Sequence, residues 1–298
     1  MPTASQNERS LQHKLRDPAY LDLHLTAVAV LKAVSQAPWY DAHFLRRYEA
    51  AKQYLSLVKP EKVQSFVDGF APLHPPANFA PIRLTDIFTA EQHQRIRKTV
   101  RNLPEIQIER HESEDFGRLI VHDHPYFLEL QAELVPLVSR AAGRELATGY
   151  NFLSLYGGAG RCDPHMDEPI SMYTLDFCID QDVDWPIHFS PVVPWPEGAQ
   201  FAGFDPDSLR SDPAVPFSAY RIAPGEALLF AGSSQWHYRD AIPAGGFSNL
   251  LFFHYYPAGC EGLVDPGRWA AHFSIPELAP LCDLIGEDYW SGSRRDRR

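Results

Sequence analysis

This chain of 298 residues is poor in three things, and each scarcity excludes something. Cysteine is the first. Only Cys162, Cys178, Cys260 and Cys282 occur, far apart and with no CxxC pair. A zinc ribbon or a thioredoxin-type dithiol therefore lacks its ligands, and a disulfide framework is not expected in a chain this long. The second scarcity is of long apolar runs. None approaches the length of a membrane span, and MPTASQNERS at the N-terminus has no apolar signal core. A reduced, cytoplasmic protein is expected. The third is positive charge: Lys plus Arg is 27 against 38 Asp plus Glu, a net of −11. That balance speaks against nucleic acid or an anionic membrane as a partner.

Proline is abundant instead, at 26 residues, and sets loops and edges. Residues 1–9 and the tail 291–298 (SGSRRDRR) are expected to be disordered. Residues 18–63 read as helices. Leu21, Leu25, Val28 and Leu31 recur at helical spacing, and a second helix is predicted over 40–57 with Phe44, Tyr48, Ala51 and Leu55 on one face. A proline-rich connector covers 70–82. Thr89 and Gln92 form a capping-box pattern ahead of Ile96, Val100 and Leu103. Another helix is predicted from about 126 to 141, through Leu130, Leu134 and Leu137.

After residue 147 the texture changes to short aromatic-rich stretches separated by Gly/Pro/Asp clusters. They fall at 149–156, 171–179, 186–193, 218–223, 226–231 and 248–256. Such punctuation predicts short strands in a sandwich or barrel. The predicted class is α+β, a β core buttressed by helices. The division expected is an N-terminal helical region over 1–82, a β domain with supporting helices over 83–290, and the tail 291–298.

The segment that carries chemistry runs from Tyr156 to Asp167, YGGAGRCDPHMD. A glycine-rich turn leads into His165-x-Asp167. In an extended chain residues i and i+2 point to the same side, so both can face one point. Imidazole nitrogen and carboxylate oxygen together suit a borderline metal. A further histidine would complete a two-His, one-carboxylate set, which suits non-haem Fe(II) and O2 chemistry. Residues 221–240, RIAPGEALLFAGSSQWHYRD, supply it: a Pro-Gly-Glu turn, a buried strand, a small-residue loop, then His237 opening another strand.

Over about 110 residues, from Asn151 to Pro257, this pattern resembles the Fe(II)/2-oxoglutarate-dependent dioxygenases, in the prolyl-4-hydroxylase-like branch. The gap of roughly 70 residues between HxD and the second His fits as well. The resemblance implies a double-stranded β-helix, a jelly-roll or cupin-like barrel. It makes His165, Asp167 and His237 the iron ligands, with 2-oxoglutarate and O2 as cosubstrates. Because Asp167 is present, it also implies hydroxylation rather than halogenation. Glu168 is expected to point the other way, as a solvated turn residue.

A buried 2-oxoglutarate carboxylate needs a cation. The resembling enzymes place an Arg or Lys about ten residues after the second His, but here that stretch is Gly245–Asn249, with no base. The last lysine is Lys98. Between 150 and 260 the arginines are Arg161, Arg210, Arg221 and Arg239. Arg239 lies two residues after His237 and is the expected anchor, with Arg221 as runner-up. Ser248 sits where a hydroxyl could bind the same carboxylate. Tyr156 and Tyr173 occupy positions that line the cosubstrate pocket in the resembling branch.

Elsewhere, His122-Asp-His124 reads as a turn before a helix, His188 as a strand-surface residue and His254 as a core residue that could face the pocket. Residues 194–217 form a long proline-rich stretch, either an ordered lid or a plain insertion. The expected function is an oxygenase hydroxylating an unactivated C–H of a small molecule, such as an amino acid or biosynthetic intermediate. A peptide side chain as substrate, a non-catalytic β-barrel binding protein and a cupin-type enzyme without 2-oxoglutarate are the alternatives. The N-terminal helices could support a homodimer.

Overall fold

The computed structural model describes residues 11–34, 42–197 and 205–286. The expected disorder at both ends, and the middle of the 194–217 stretch, lie outside the described residues.

Among the described residues, ten strands form two antiparallel sheets. In chain order they are β1 (Ile82–Leu84), β2 (Arg118–His122), β3 (Leu146–Tyr156), β4 (Cys162–His165), β5 (Tyr173–Gln181), β6 (Ile187–Val192), β7 (Ser218–Tyr220), β8 (Ala227–Phe230), β9 (Gln235–Arg239) and β10 (Ser248–Pro257). One sheet has the order β1-β8-β5-β10-β3-β2 and the other β4-β9-β6-β7. From β3 onward the chain passes back and forth between the two, which is the winding of a double-stranded β-helix. β1 and β2, both absent from the sequence reading, extend the six-stranded sheet at its two edges.

Strand periodicity sorts the side chains of that sheet. On β10, Leu251, Phe253 and Tyr255 face a layer of helices, while Leu250 and Phe252 face the space between the sheets. On β5, Tyr173, Leu175 and Phe177 face the helices and Cys178 faces inward. The covering helices are α4 (Ala90–Arg101) and α5 (Pro125–Ala142). They contribute Ile96, Phe127, Leu130, Leu134 and Val138. The Thr89/Gln92 capping box is formed in full. His124 is the N-cap of α5, accepting from the Tyr126 N–H.

A second helical layer comes from both ends of the chain. It contains α1 (Pro18–Ala33), α2 (His43–Val58), α3 (Val63–Asp68) and two short helices not anticipated from sequence, α6 (Glu261–Val264) and α7 (Trp269–His272). Phe44, Phe66 and Phe70 meet Trp269 edge-on at 5.5, 5.6 and 5.4 Å between ring centroids. The face of α2 is as its spacing predicts, with Phe44, Tyr48, Ala51 and Leu55 buried. The face of α1 is not. Ala27 and Val30 are buried, whereas Leu21 and Leu25 are exposed. Leu31, the last of the predicted stripe, does pack against the core, together with Leu23.

Candidate metal centre and its cavity

The two histidines come from adjacent strands of the four-stranded sheet. β4 and β9 pair so that His165 stands opposite His237 and Cys162 opposite Arg239. Beyond β4 the chain stays extended. Met166 points into the second helical layer, and Asp167 returns to the side of the histidines. The Asp167 N–H donates to the Gly232 carbonyl at 2.9 Å. A Cβ at Gly232 would lie 2.1 Å from Asp167 Oδ2, so this approach requires glycine.

One donor atom from each of His165, Asp167 and His237 falls within 4.8 Å of the others. His165 Nε2 is 3.4 Å and His237 Nε2 3.5 Å from Asp167 Oδ1. The other ring nitrogens are engaged: His165 Nδ1–H donates to Asp163 O and His237 Nδ1–H to Gln235 O, each at 2.9 Å. Those bonds place a hydrogen on each Nδ1 and turn both Nε2 atoms toward Asp167. Burial pushes the Asp167 carboxyl up, but the His237 and His165 rings hold it well below the usual carboxylate range. Burial, helped by His165, pulls His237 down, while burial's lowering of His165 is outweighed by Cys162 and Asp167, which raise it well above its ordinary value. Two imidazoles and one carboxylate, all buried and convergent, fit a divalent iron with open coordination positions.

The cluster opens on a cavity of about 740 Å³ lined by both faces of the sandwich. At its deep end Arg239, buried, donates from Nη2 to Asp176 Oδ2 at 2.7 Å and from Nη1 to Trp185 O at 2.5 Å. Its guanidinium lies 4.8 Å from the centre of the Trp185 ring. Burial raises the Asp176 carboxyl, and Arg239 counteracts this. Tyr156 lines the same end, and its hydroxyl accepts from Arg118 Nη1 at 2.7 Å. Burial pushes that hydroxyl up to about 12. Arg118 also pairs with Glu112.

The cavity therefore brings together His165, Asp167, His237, Arg239 and Tyr156. It does not include two residues expected there. Tyr173 faces the helices, 5.2 Å from Phe79 between ring centroids, because the inward phase of β5 belongs to Thr174 and Asp176. Ser248 is buried at the start of β10, where its hydroxyl donates to Gln181 Oε1 at 3.3 Å rather than facing the cavity. Arg221, the runner-up anchor, is exposed and paired with Asp184. Glu168 also departs from expectation. Its carboxylate accepts from the Phe44 N–H at 2.9 Å, at the start of α2, and ties the metal loop to the helical layer.

Sequence reasoning missed Arg118, Thr174 and the full role of His254. Arg118 lay outside the window searched for a base. The signal was there: Arg118, Ile120 and His122 alternate, and all three line the cavity. His254 lines it too, its ring 4.3 Å from that of Tyr150 and tilted against it.

No family model matches this chain, and no curated protein matches it in sequence. Solved structures do. The chain is similar to the non-haem α-ketoglutarate-dependent carbocyclase SnoK of nogalamycin biosynthesis, at 12% identity and TM-score 0.47, over 61% of this chain and 81% of that one. It is similar to HygX from Streptomyces hygroscopicus, solved with nickel, 2-oxoglutarate and hygromycin B, at 13% identity and TM-score 0.47, over 66% and 88%. It is also similar to EctD from S. alaskensis with bound Fe, at 17% identity and TM-score 0.45, over 60% and 73%.

Proposed function

We propose that this chain is a non-haem Fe(II)/2-oxoglutarate-dependent oxygenase that hydroxylates an unactivated C–H of a small molecule. The observation that carries the reading is the convergence of His165, Asp167 and His237 at the wall of a cavity that also holds two buried arginines. Iron with 2-oxoglutarate and O2 would supply the oxidising power, with succinate and CO2 as the cosubstrate products.

The chain's own part is to hold, orient and exclude water. His165, Asp167 and His237 would hold the metal through Nε2, Oδ1 and Nε2. Arg239, with Arg118 and Tyr156 beside it, would receive the distal carboxylate of 2-oxoglutarate. Phe152, Phe230 and Phe252 keep the space between metal and arginines apolar, which strengthens each charge-assisted hydrogen bond made there. The cavity volume lies in the range of small-molecule sites, which favours a metabolite over a folded protein as substrate.

The test is succinate formation from 2-oxoglutarate by the iron-loaded chain, screened against amino acids, peptides and biosynthetic intermediates with mass detection. A product heavier by one oxygen supports the reading. A product lighter by two hydrogens keeps the site and changes the reaction to desaturation. No succinate with any candidate, together with no iron binding, moves the chain to the non-catalytic alternative.

A further inference from the structure

Asp167 has two oxygens, and only one faces the histidines. The other, Oδ2, lies 2.9 Å from the Thr174 hydroxyl. Thr174 stands on β5 opposite His254 on β10. Its Oγ1 is 3.0 Å from His254 Nδ1. A threonine hydroxyl has one hydrogen to give, and a carboxylate at neutral pH only accepts. The hydrogen therefore goes to Asp167, and Oγ1 accepts from His254 Nδ1–H. The reverse assignment would set the Thr174 and Asp167 lone pairs against each other at 2.9 Å.

The His254 ring is fixed from its sides. Tyr150 and Phe152 lie 4.3 and 5.5 Å away between ring centroids, tilted by 32° and 22°. Burial pulls the imidazole down to about 4, so the ring is neutral and carries its one hydrogen on Nδ1. Its Nε2 is buried without a hydrogen-bond partner and belongs to the cavity wall. On the other side Asp167 Oδ2 occupies the space that a Cβ at Gly232 would fill, 2.1 Å from it. The Thr174 hydroxyl thus holds Oδ2, and Oδ1 faces the histidines.

We propose that Thr174 and His254 are positioning residues acting in series: His254 orients the Thr174 hydroxyl, and Thr174 fixes Asp167 as a one-oxygen metal ligand. This rests on the reading of His165, Asp167 and His237 as a metal site. It adds two residues on the long sheet to a site otherwise built on the short one.

The probe is Co(II), titrated into the full chain and followed by visible absorption and calorimetry. Loss of an outer hydrogen-bond partner of a metal ligand typically lowers affinity by about 10–100-fold. Thr174→Val, close to isosteric, and His254→Leu are each expected to fall in that range. Thr174→Ser keeps the hydroxyl, and His254→Asn keeps an N–H donor where Nδ1 was. Both are expected to stay within a few-fold of the wild type, a rescue that a merely structural role would not produce. The double variant Thr174→Val/His254→Leu is expected to bind no more weakly than Thr174→Val alone, because the two act in series. If His254→Leu does not fold, the Thr174→Val and Thr174→Ser pair decides. Unchanged Co(II) affinity in Thr174→Val, with His165→Ala unable to bind, overturns the positioning role and leaves the metal site standing. A wild type that binds no Co(II) overturns both.

Discussion

The two sheets of the sandwich use their strands differently. In the six-stranded sheet, β3, β5 and β10 run 11, 9 and 10 residues. They pair along most of their length and give one whole face to the helices. In the four-stranded sheet, β4, β9, β6 and β7 run 4, 5, 6 and 3 residues, and two of the three pairings shift register. Yet the short sheet supplies both histidines and Arg239. Long strands, which also shift register once in each pairing of β10, bury apolar area and set stability. Short irregular strands re-aim side chains, which is what a three-donor cluster requires. Asp167 sits at the seam, held by Gly232 after β8 and by Thr174 on the long sheet.

Substitutions can separate these roles. The largest stability effect belongs to the long sheet's helix-facing side. Phe253→Ala is expected to lose about 3–5 kcal/mol in denaturant unfolding, with the Co(II) affinity of the folded protein unchanged. A loss of metal binding there at full occupancy of the folded state would erase the division between the sheets.

Arg239→Ala strikes the short sheet and is next in size. Losing a buried charge-assisted pair costs about 2–5 kcal/mol, here read as a raised KM for 2-oxoglutarate far beyond any change in the substrate's KM. Asp176, fully buried, is also left without its cation, so thermal stability should fall as well. An unaltered 2-oxoglutarate dependence would transfer the anchor to Arg118.

His254 sharpens the comparison through pH. Its folded-state value is lowered from 6.5 to about 4 by burial. The unfolded chain therefore takes up the proton first as pH falls. The stability this group contributes is fully present above 6.5 and is lost between 6.5 and about 4, up to about 3 kcal/mol in all. Unfolding midpoints measured across that window should fall less steeply in His254→Asn than in the wild type. Parallel profiles would mean that His254 titrates normally.

The smallest step is one methyl group. Gly232→Ala puts a carbon where Asp167 Oδ2 lies and is expected to lower Co(II) affinity by about 10–100-fold, as loss of an outer partner does. Calorimetric titration reads this directly, and wild-type affinity would show that the loop yields.

The site was legible from sequence where its geometry is local. His165 and Asp167 are two residues apart on extended chain, and the Pro-Gly-Glu turn and small-residue loop ahead of His237 mark a strand–loop–strand passage. Arg118 was missed because it lies before the stretch searched for a base, although its alternation with Ile120 and His122 marks one face of a strand. Tyr173 went to the wrong face for want of strand phase. In YTLDFCI the polar Thr174 and Asp176 alternate with Tyr173, Leu175 and Phe177, and only the apolar set can cover a helix layer. The leucine stripe of α1 misled for a related reason: spacing marks a face but not which face a close-packed neighbour selects. The C-terminal helices could not be anticipated from residues 258–286 alone, since their burial depends on aromatic residues more than 180 positions away, such as Phe70 against Trp269.

We propose that His165, Asp167, His237 and the buried arginine end form one site for Fe(II) and 2-oxoglutarate. Its most direct test is an anaerobic titration of the purified chain with Fe(II) and then 2-oxoglutarate, following the visible charge-transfer absorption of the iron–keto-acid chelate. This band is expected to develop and saturate near one equivalent of iron in the wild type, to need more 2-oxoglutarate in Arg239→Ala and to be absent in His237→Ala. A wild-type chain that develops no band, or a band that survives His237→Ala unchanged, would contradict it.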